Sequence, residues 1–163
     1  MARILIVGCG CRGRELARGL IAAGHAVRGT TRREDRLAAI EAAGAEAVLV
    51  DPDRLSTLLP HLQGAAVLVW LMGTAAGDAA AVAALHGERL ESALETLVDT
   101  HVRGAVYEAA GTVAPGAFER GAAIARRVAA TYRMPVEPIE APPAEPGRWL
   151  AAALRAVDSV LSA

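Results

Sequence analysis

The stretch Arg3 to Leu20, RILIVGCGCRGRELARGL, constrains the chain more than any other. A short apolar run, Ile4 to Val7, leads into Gly8-x-Gly10-x-x-Gly13, and an apolar-periodic segment through Leu16, Leu20 and Ile21 follows at once. Strand, glycine turn and helix in this order form the fingerprint of a dinucleotide-binding βαβ unit. Gly8 permits the tight turn, Gly10 lets a pyrophosphate approach the backbone, and Gly13 allows the helix to pack closely on the strand. The helix N-terminus then offers free N–H groups and a positive dipole end to the phosphates. Cys11 and Arg12 stand inside the same loop.

The alternation continues along the chain. Ala26–Thr30, Glu46–Val50, Ala66–Leu71, Gly104–Tyr107 and Val136–Ile139 read as further strands, the last at an edge because it holds Pro138. Helical patterns occupy Arg12–Ala23, Glu34–Ala43, Arg54–Leu62, Glu88–Thr100, Phe118–Tyr132 and Trp149–Leu161, with a Gly/Ala-rich stretch from Gly73 to Gly87. Six strands alternating with helices predict an α/β fold: a doubly wound, mostly parallel Rossmann sheet with helices on both faces, as one domain over residues 1–163. That use of the whole length leaves little chain for a separate substrate domain.

Charge and composition exclude several partners. The net charge of −1 favours neither nucleic acid nor an anionic membrane. No apolar run approaches the roughly 18 residues of a membrane span, and Ile4–Val7 is too short for a signal peptide, so a cytoplasmic location is expected. All 17 basic residues are arginine, which removes any mechanism that needs a lysine of this chain. Cys9 and Cys11 are the only cysteines and are spaced C-x-C with no second ligand pair, so no metal site is expected. They read as small residues filling a phosphate-loop turn, with oxidation of Cys11 near the helix N-terminus as the alternative.

The end of the second strand bears on which dinucleotide is bound. NAD-selective domains place an acid there to bind the ribose 2′-OH. Here the chain reads Arg28-Gly29-Thr30-Thr31-Arg32-Arg33, with no carboxylate before Glu34. Thr30 and Thr31 offer hydroxyls, and Arg32, Arg33 and Arg12 are candidates for a 2′-phosphate, so NADP(H) is expected over NAD(H). The alternative is that Arg32 and Arg33 pair with Glu34 and Asp35 on a solvated helix start. Asp51 closes the third strand, either near the adenine edge or as a cap ahead of Pro52. Leu71, Met72 and Gly73 end the fourth strand on the side where ligands gather.

Taken together, GCGCRG, GTTRR, Asp51 and VLVWLMG resemble an atypical member of the short-chain dehydrogenase/reductase superfamily, nearest its NAD-dependent epimerase-like Rossmann domains, over roughly residues 1–115. The resemblance implies cofactor binding. It also implies a serine after the fifth strand and a Tyr-x-x-x-Lys pair, and this chain departs on both. Ala109 and Ala110 stand at the serine's place, with Thr112 the nearest hydroxyl, and neither Tyr107 nor Tyr132 has a lysine partner. Other proton donors are then required for any turnover, and Glu108, His86 and Thr112 are the candidates.

The leading reading is an NADP(H)-binding protein of epimerase/reductase type with altered, weak or absent oxidoreductase activity on an unknown small-molecule substrate. The alternative is a non-catalytic redox sensor that acts on a regulatory protein partner, in the manner of nitrogen-metabolite-repressor proteins. A regulatory nucleotide domain of a potassium transport system shares the opening IVGCG, but such domains carry an acid where this chain has threonines and arginines. A flavin or S-adenosylmethionine site is also compatible with such a sheet. The final helix, with Trp149, Leu150, Leu154, Val157 and Leu161, serves either the core or a homodimer contact.

Overall fold

Ile4, Leu5, Ile6 and Val7 are all fully buried. An uninterrupted apolar run of this kind is what a strand needs when both faces of a parallel sheet are covered. The computed structural model describes residues 1–163 and places this run, β1 (Arg3–Val7), in the interior of a six-stranded sheet. The other strands are β2 (Ala26–Thr31), β3 (Glu46–Leu49), β4 (Val67–Trp70), β5 (Gly104–Glu108) and β6 (Val136–Ile139). Their order is β3-β2-β1-β4-β5-β6, and every neighbouring pair is parallel. The order reverses between β1 and β4, the switch point at which ligands bind in such sheets.

Side chains alternate between two cores, as the period of a strand requires. Leu5, Val7, Leu68, Trp70 and Tyr107 face α5 (Glu88–Leu97) and α6 (Pro115–Tyr132). Ile4, Ile6, Val67, Val69 and Val106 face α1 (Cys11–Ala22), Ile40 of α2 (Leu37–Ala42), and α7 (Pro146–Ser162). Trp149, Ala153, Val157 and Val160 of α7 are fully buried. A Cβ at Gly19 of α1 would sit 3.3 Å from Leu154 of α7. The apolar stripe of the final helix is therefore used within its own domain.

Prolines account for most differences from the predicted boundaries. The segment expected as one helix over 54–62 breaks into α3 (Leu55–Leu58) and a 3₁₀ turn (Leu59–Leu62), because Pro60 cannot donate within the helix. Pro115 and Pro146 suit the first helical turn, so α6 and α7 each start three residues before the predicted positions. Glu34–Arg36 forms a 3₁₀ turn ahead of α2 rather than its first turn. The Gly/Ala stretch contains α4 (Ala79–Leu85), capped by Asp78, whose side chain accepts the Ala81 N–H at 3.1 Å. β6 is the edge strand its proline implied. No helix is long and apolar enough to cross a membrane.

Candidate functional site

The glycine turn is held from two sides. Gly8 has φ +84°, a conformation that favours glycine, and a Cβ there would run into the Leu71 carbonyl. Its N–H donates to Thr30 Oγ1 at 3.2 Å, and the Cys9 N–H donates to the Thr30 carbonyl at 2.9 Å. Thr30 is thus a buried peg that fixes the turn to β2. At Gly13 a Cβ would lie 3.2 Å from the Gly8 carbonyl and 3.3 Å from Cys9 Sγ, so the helix sits close on the strand. Gly10 is different: a Cβ there meets nothing within 4 Å. It caps α1 without a side-chain bond and no acid stands in the first turn, so the helix N-terminus is open to an anion.

A cleft of about 360 Å³ lies over this N-terminus. Gly8, Cys9, Gly10 and Cys11 form its floor, Thr30 to Arg33 one wall, and Leu71 and Met72 another, with Val50 and Pro52 at the end of β3. These lining residues include most of the predicted set. The cleft also takes in Arg14 and Arg36, so four arginines line it and no carboxylate does. Arg14 sits in the first turn of α1, and Arg36 ends the 3₁₀ turn Glu34–Arg36 that follows the extended Arg33.

Arg33 pairs with Asp35 at 2.7 Å and Arg32 lies 3.7 Å from Asp53. Asp35 is the partner foreseen in the solvated alternative, whereas Asp53 was not. The Arg33–Asp35 pair is exposed, and Arg32 shares the half-buried Asp53 with Arg89 at a long distance, so both arginines are weakly held and an incoming anion can displace their partners. The Thr31 hydroxyl oxygen accepts the Arg33 N–H at 3.2 Å, which leaves its proton free to donate.

Four predicted residues lie apart from the cleft lining. Gly13 packs behind the loop. Asp51 is engaged in its own turn, its Oδ1 accepting the Asp53 N–H at 3.0 Å while Thr57 Oγ1 accepts the Asp51 N–H at 2.9 Å. Gly73 packs against Glu108, leaving no room for a Cβ. Arg12 is corrected most sharply: its guanidinium turns away from Arg32 and Arg33 to reach Glu108, with Nη2 at 2.9 Å from both carboxylate oxygens, and Nη1 donates to Thr74 Oγ1 at 3.1 Å.

The three candidate proton donors are placed as follows. Glu108 is 0% exposed and accepts from Arg12, from the Gly73 N–H at 2.7 Å and from the Trp149 indole N–H at 2.9 Å. His86, the C-cap of α4 in the Gly/Ala-rich stretch, is 0% exposed. Its Nε2 lies 2.9 Å from the Met72 carbonyl, which only accepts, so Nε2 carries the proton and Nδ1 accepts the Tyr107 hydroxyl at 2.7 Å. Burial pushes the Tyr107 phenol up, reinforced by the Glu108 carboxylate. Thr112 is exposed in the loop after β5, its N–H donating to the Gly73 carbonyl at 2.9 Å.

Burial holds the His86 imidazole below its ordinary value of 6.5. The unfolded chain therefore takes up a proton that the folded chain refuses, and stability falls as pH drops through that ordinary value. Urea unfolding at about pH 7.5 and about pH 5.5 is expected to show this loss, and His86→Gln is expected to reduce it. An unchanged pH dependence in the variant would remove His86 as its source.

The two thiols differ. Burial pushes Cys9 up to about 11, against a smaller opposing effect of Arg14, whereas Cys11 is exposed at the start of α1. Maleimide labelling at neutral pH is expected to modify Cys11 alone in the folded protein and both cysteines after denaturation. Labelling of Cys9 in the folded state would contradict its burial.

Residues 4–111, more than half of the chain, match the profile of the TrkA-N domain, and the chain belongs to that family. The opening Ile6-Val7-Gly8-Cys9-Gly10 lies within the match. No curated protein matches the sequence. The fold is shared with solved epimerases and reductases. UDP-glucuronic acid 4-epimerase from Bacillus cereus, solved with NAD, is 14% identical at TM-score 0.66, covering 83% of this chain and 55% of its own. The Citrobacter sp. triphenylmethane reductase, solved with NADP(H), is 16% identical at TM-score 0.62, covering 84% and 48%. BdcA from E. coli is 17% identical at TM-score 0.74, covering 98% and 90%. The chain thus spans about half the length of the first two. At these identities the likeness to short-chain dehydrogenases/reductases is one of fold, and the sequence family is TrkA-N.

Proposed function

We propose that this protein binds NADP(H) and is of epimerase/reductase type, with oxidoreductase activity altered, weak or lost. The observation that carries this is the cleft lining of Arg14, Arg32, Arg33 and Arg36 without a carboxylate. A 2′-phosphate suits such a lining, and a bare ribose diol does not call for it. Gly8, Gly10, Cys11 and the N-terminus of α1 would hold the pyrophosphate, in the space that a Cβ at Gly10 would fill. Thr30 and Thr31 would face the ribose, and Arg32 and Arg33 the 2′-phosphate. That the epimerase was solved with NAD and the reductase with NADP(H) supports a nicotinamide dinucleotide.

The bound nicotinamide would supply hydride chemistry, and the protein would have to supply proton transfer. No His, Tyr, Asp or Glu lines the cleft, and Glu108, His86 and Tyr107 are buried and bonded elsewhere. This favours a second reading, a regulatory protein whose bound dinucleotide changes its behaviour toward a partner. Calorimetric titration of the Arg32→Ala/Arg33→Ala variant tests the cofactor assignment. Loss of about 1.5–3 kcal/mol per charged hydrogen bond is expected for NADP(H), with NAD(H) nearly unchanged. Equal loss for both cofactors would sink the 2′-phosphate assignment.

A further inference from the structure

Sheets with this strand order carry two mononucleotide-binding halves on either side of the β1/β4 switch point, and a dinucleotide lies across both. The open cleft lies over the β1–β2–β3 half and crosses the switch point only as far as the end of β4 and the segment that follows it. It is lined from the ends of β1, β2, β3 and β4 and from the segment between β4 and α5, and by no residue of β5, β6 or the loops that follow them.

The other half is bridged by side chains. Arg12 reaches across from the glycine loop to Glu108 at the end of β5, and Glu108 also takes the Trp149 indole N–H of α7. The Arg12 guanidinium lies 5.4 Å from the Trp149 ring centroid, within cation–π range. Beside this cluster the loop after β5 is joined to the segment after β4: the Gly73 carbonyl accepts the Thr112 N–H at 2.9 Å, a Cβ at Gly111 would run into the Gly73 carbonyl, and one at Gly73 would run into the Ala110 carbonyl and Glu108. Opening this half would strip a fully buried carboxylate of its cation, an unfavourable step.

We infer that the site recognises the adenosine-phosphate half of its nucleotide alone, and that Arg12, Glu108 and Trp149 latch the half that would take the nicotinamide. The latch rests on the nucleotide reading above, and only the identity of the phosphate on the ribose depends on NADP(H) over NAD(H). On this arrangement oxidised and reduced dinucleotides bind alike, so the protein responds to nucleotide level and not to redox state.

Two matched pairs test this by calorimetry on the full chain: adenosine 2′-phosphate 5′-diphosphate against NADP+ and NADPH, and ADP against NAD+. Each nicotinamide-free compound is expected to bind within about tenfold of its dinucleotide. A dinucleotide more than about tenfold tighter than its truncated partner, in whichever pair binds, overturns the latch while leaving the cofactor reading standing. Equal affinity of NADP+ and NAD+ overturns the 2′-phosphate reading instead, and the latch is then judged on ADP against NAD+. Absence of binding by every compound overturns both.

Discussion

Replacing Glu108 by alanine is expected to lower the unfolding free energy by about 3–5 kcal/mol, the range for breaking a buried ion pair from one side. Glu108 is 0% exposed and gathers donors from three separated parts of the chain: Arg12 in the glycine loop, the Gly73 N–H after β4, and the Trp149 indole on α7. Arg12 is partly exposed, at 20% of its side chain, and can turn to water. The Gly73 N–H and the indole N–H have no such recourse, and stranded buried donors are costly. Since domains of this size are stable by only about 5–15 kcal/mol, such a loss is a large share. Urea unfolding followed by circular dichroism measures it. A change below about 1 kcal/mol would mean that water replaces the carboxylate and that the network does not hold these elements together.

Gly10→Val is expected to abolish nucleotide binding while leaving the fold intact. The structure separates these two effects. Gly10 adopts φ −82° and ψ −152°, an extended conformation open to any residue, and a Cβ there meets no atom within 4 Å. The isopropyl group would instead fill the space over the α1 N-terminus that the pyrophosphate needs. A loss of more than about 100-fold in affinity is expected, equivalent to about 2.7 kcal/mol, with thermal unfolding near that of the parent. Retained affinity would take Gly10 out of the phosphate site. Gly8→Val makes the contrasting control, since positive φ and the Leu71 carbonyl oppose any side chain there, and the fold itself should suffer.

The first strand, the glycine turn and the first helix were legible because their signals are local. Gly8, Gly10 and Gly13 act on the backbone within a few residues of themselves, and Ile4 to Val7 is apolar because β1 is covered on both faces. The alternation of strands and helices carried the fold class for the same reason. Proline placement explains the displaced helix boundaries, also a local effect. The positions of side chains with long reach were not legible in this way. Arg12 and Glu108 are 96 residues apart in the chain, and their pairing follows from β5 lying beside β4 and β4 beside β1. His86 looked accessible in a Gly/Ala-rich stretch, yet the end of α4 turns it under Met72.

Local pattern along the chain was thus enough to establish a parallel α/β sheet with a glycine turn after its first strand, because glycine torsions and strand and helix periodicity are properties of neighbouring residues. Which ionisable groups meet the cleft and which are withdrawn into a buried network depended on strand order and on the packing of α7. A charged side chain takes its partner from whatever the fold brings within a few ångströms, and that distance is set by topology and not by position in the chain.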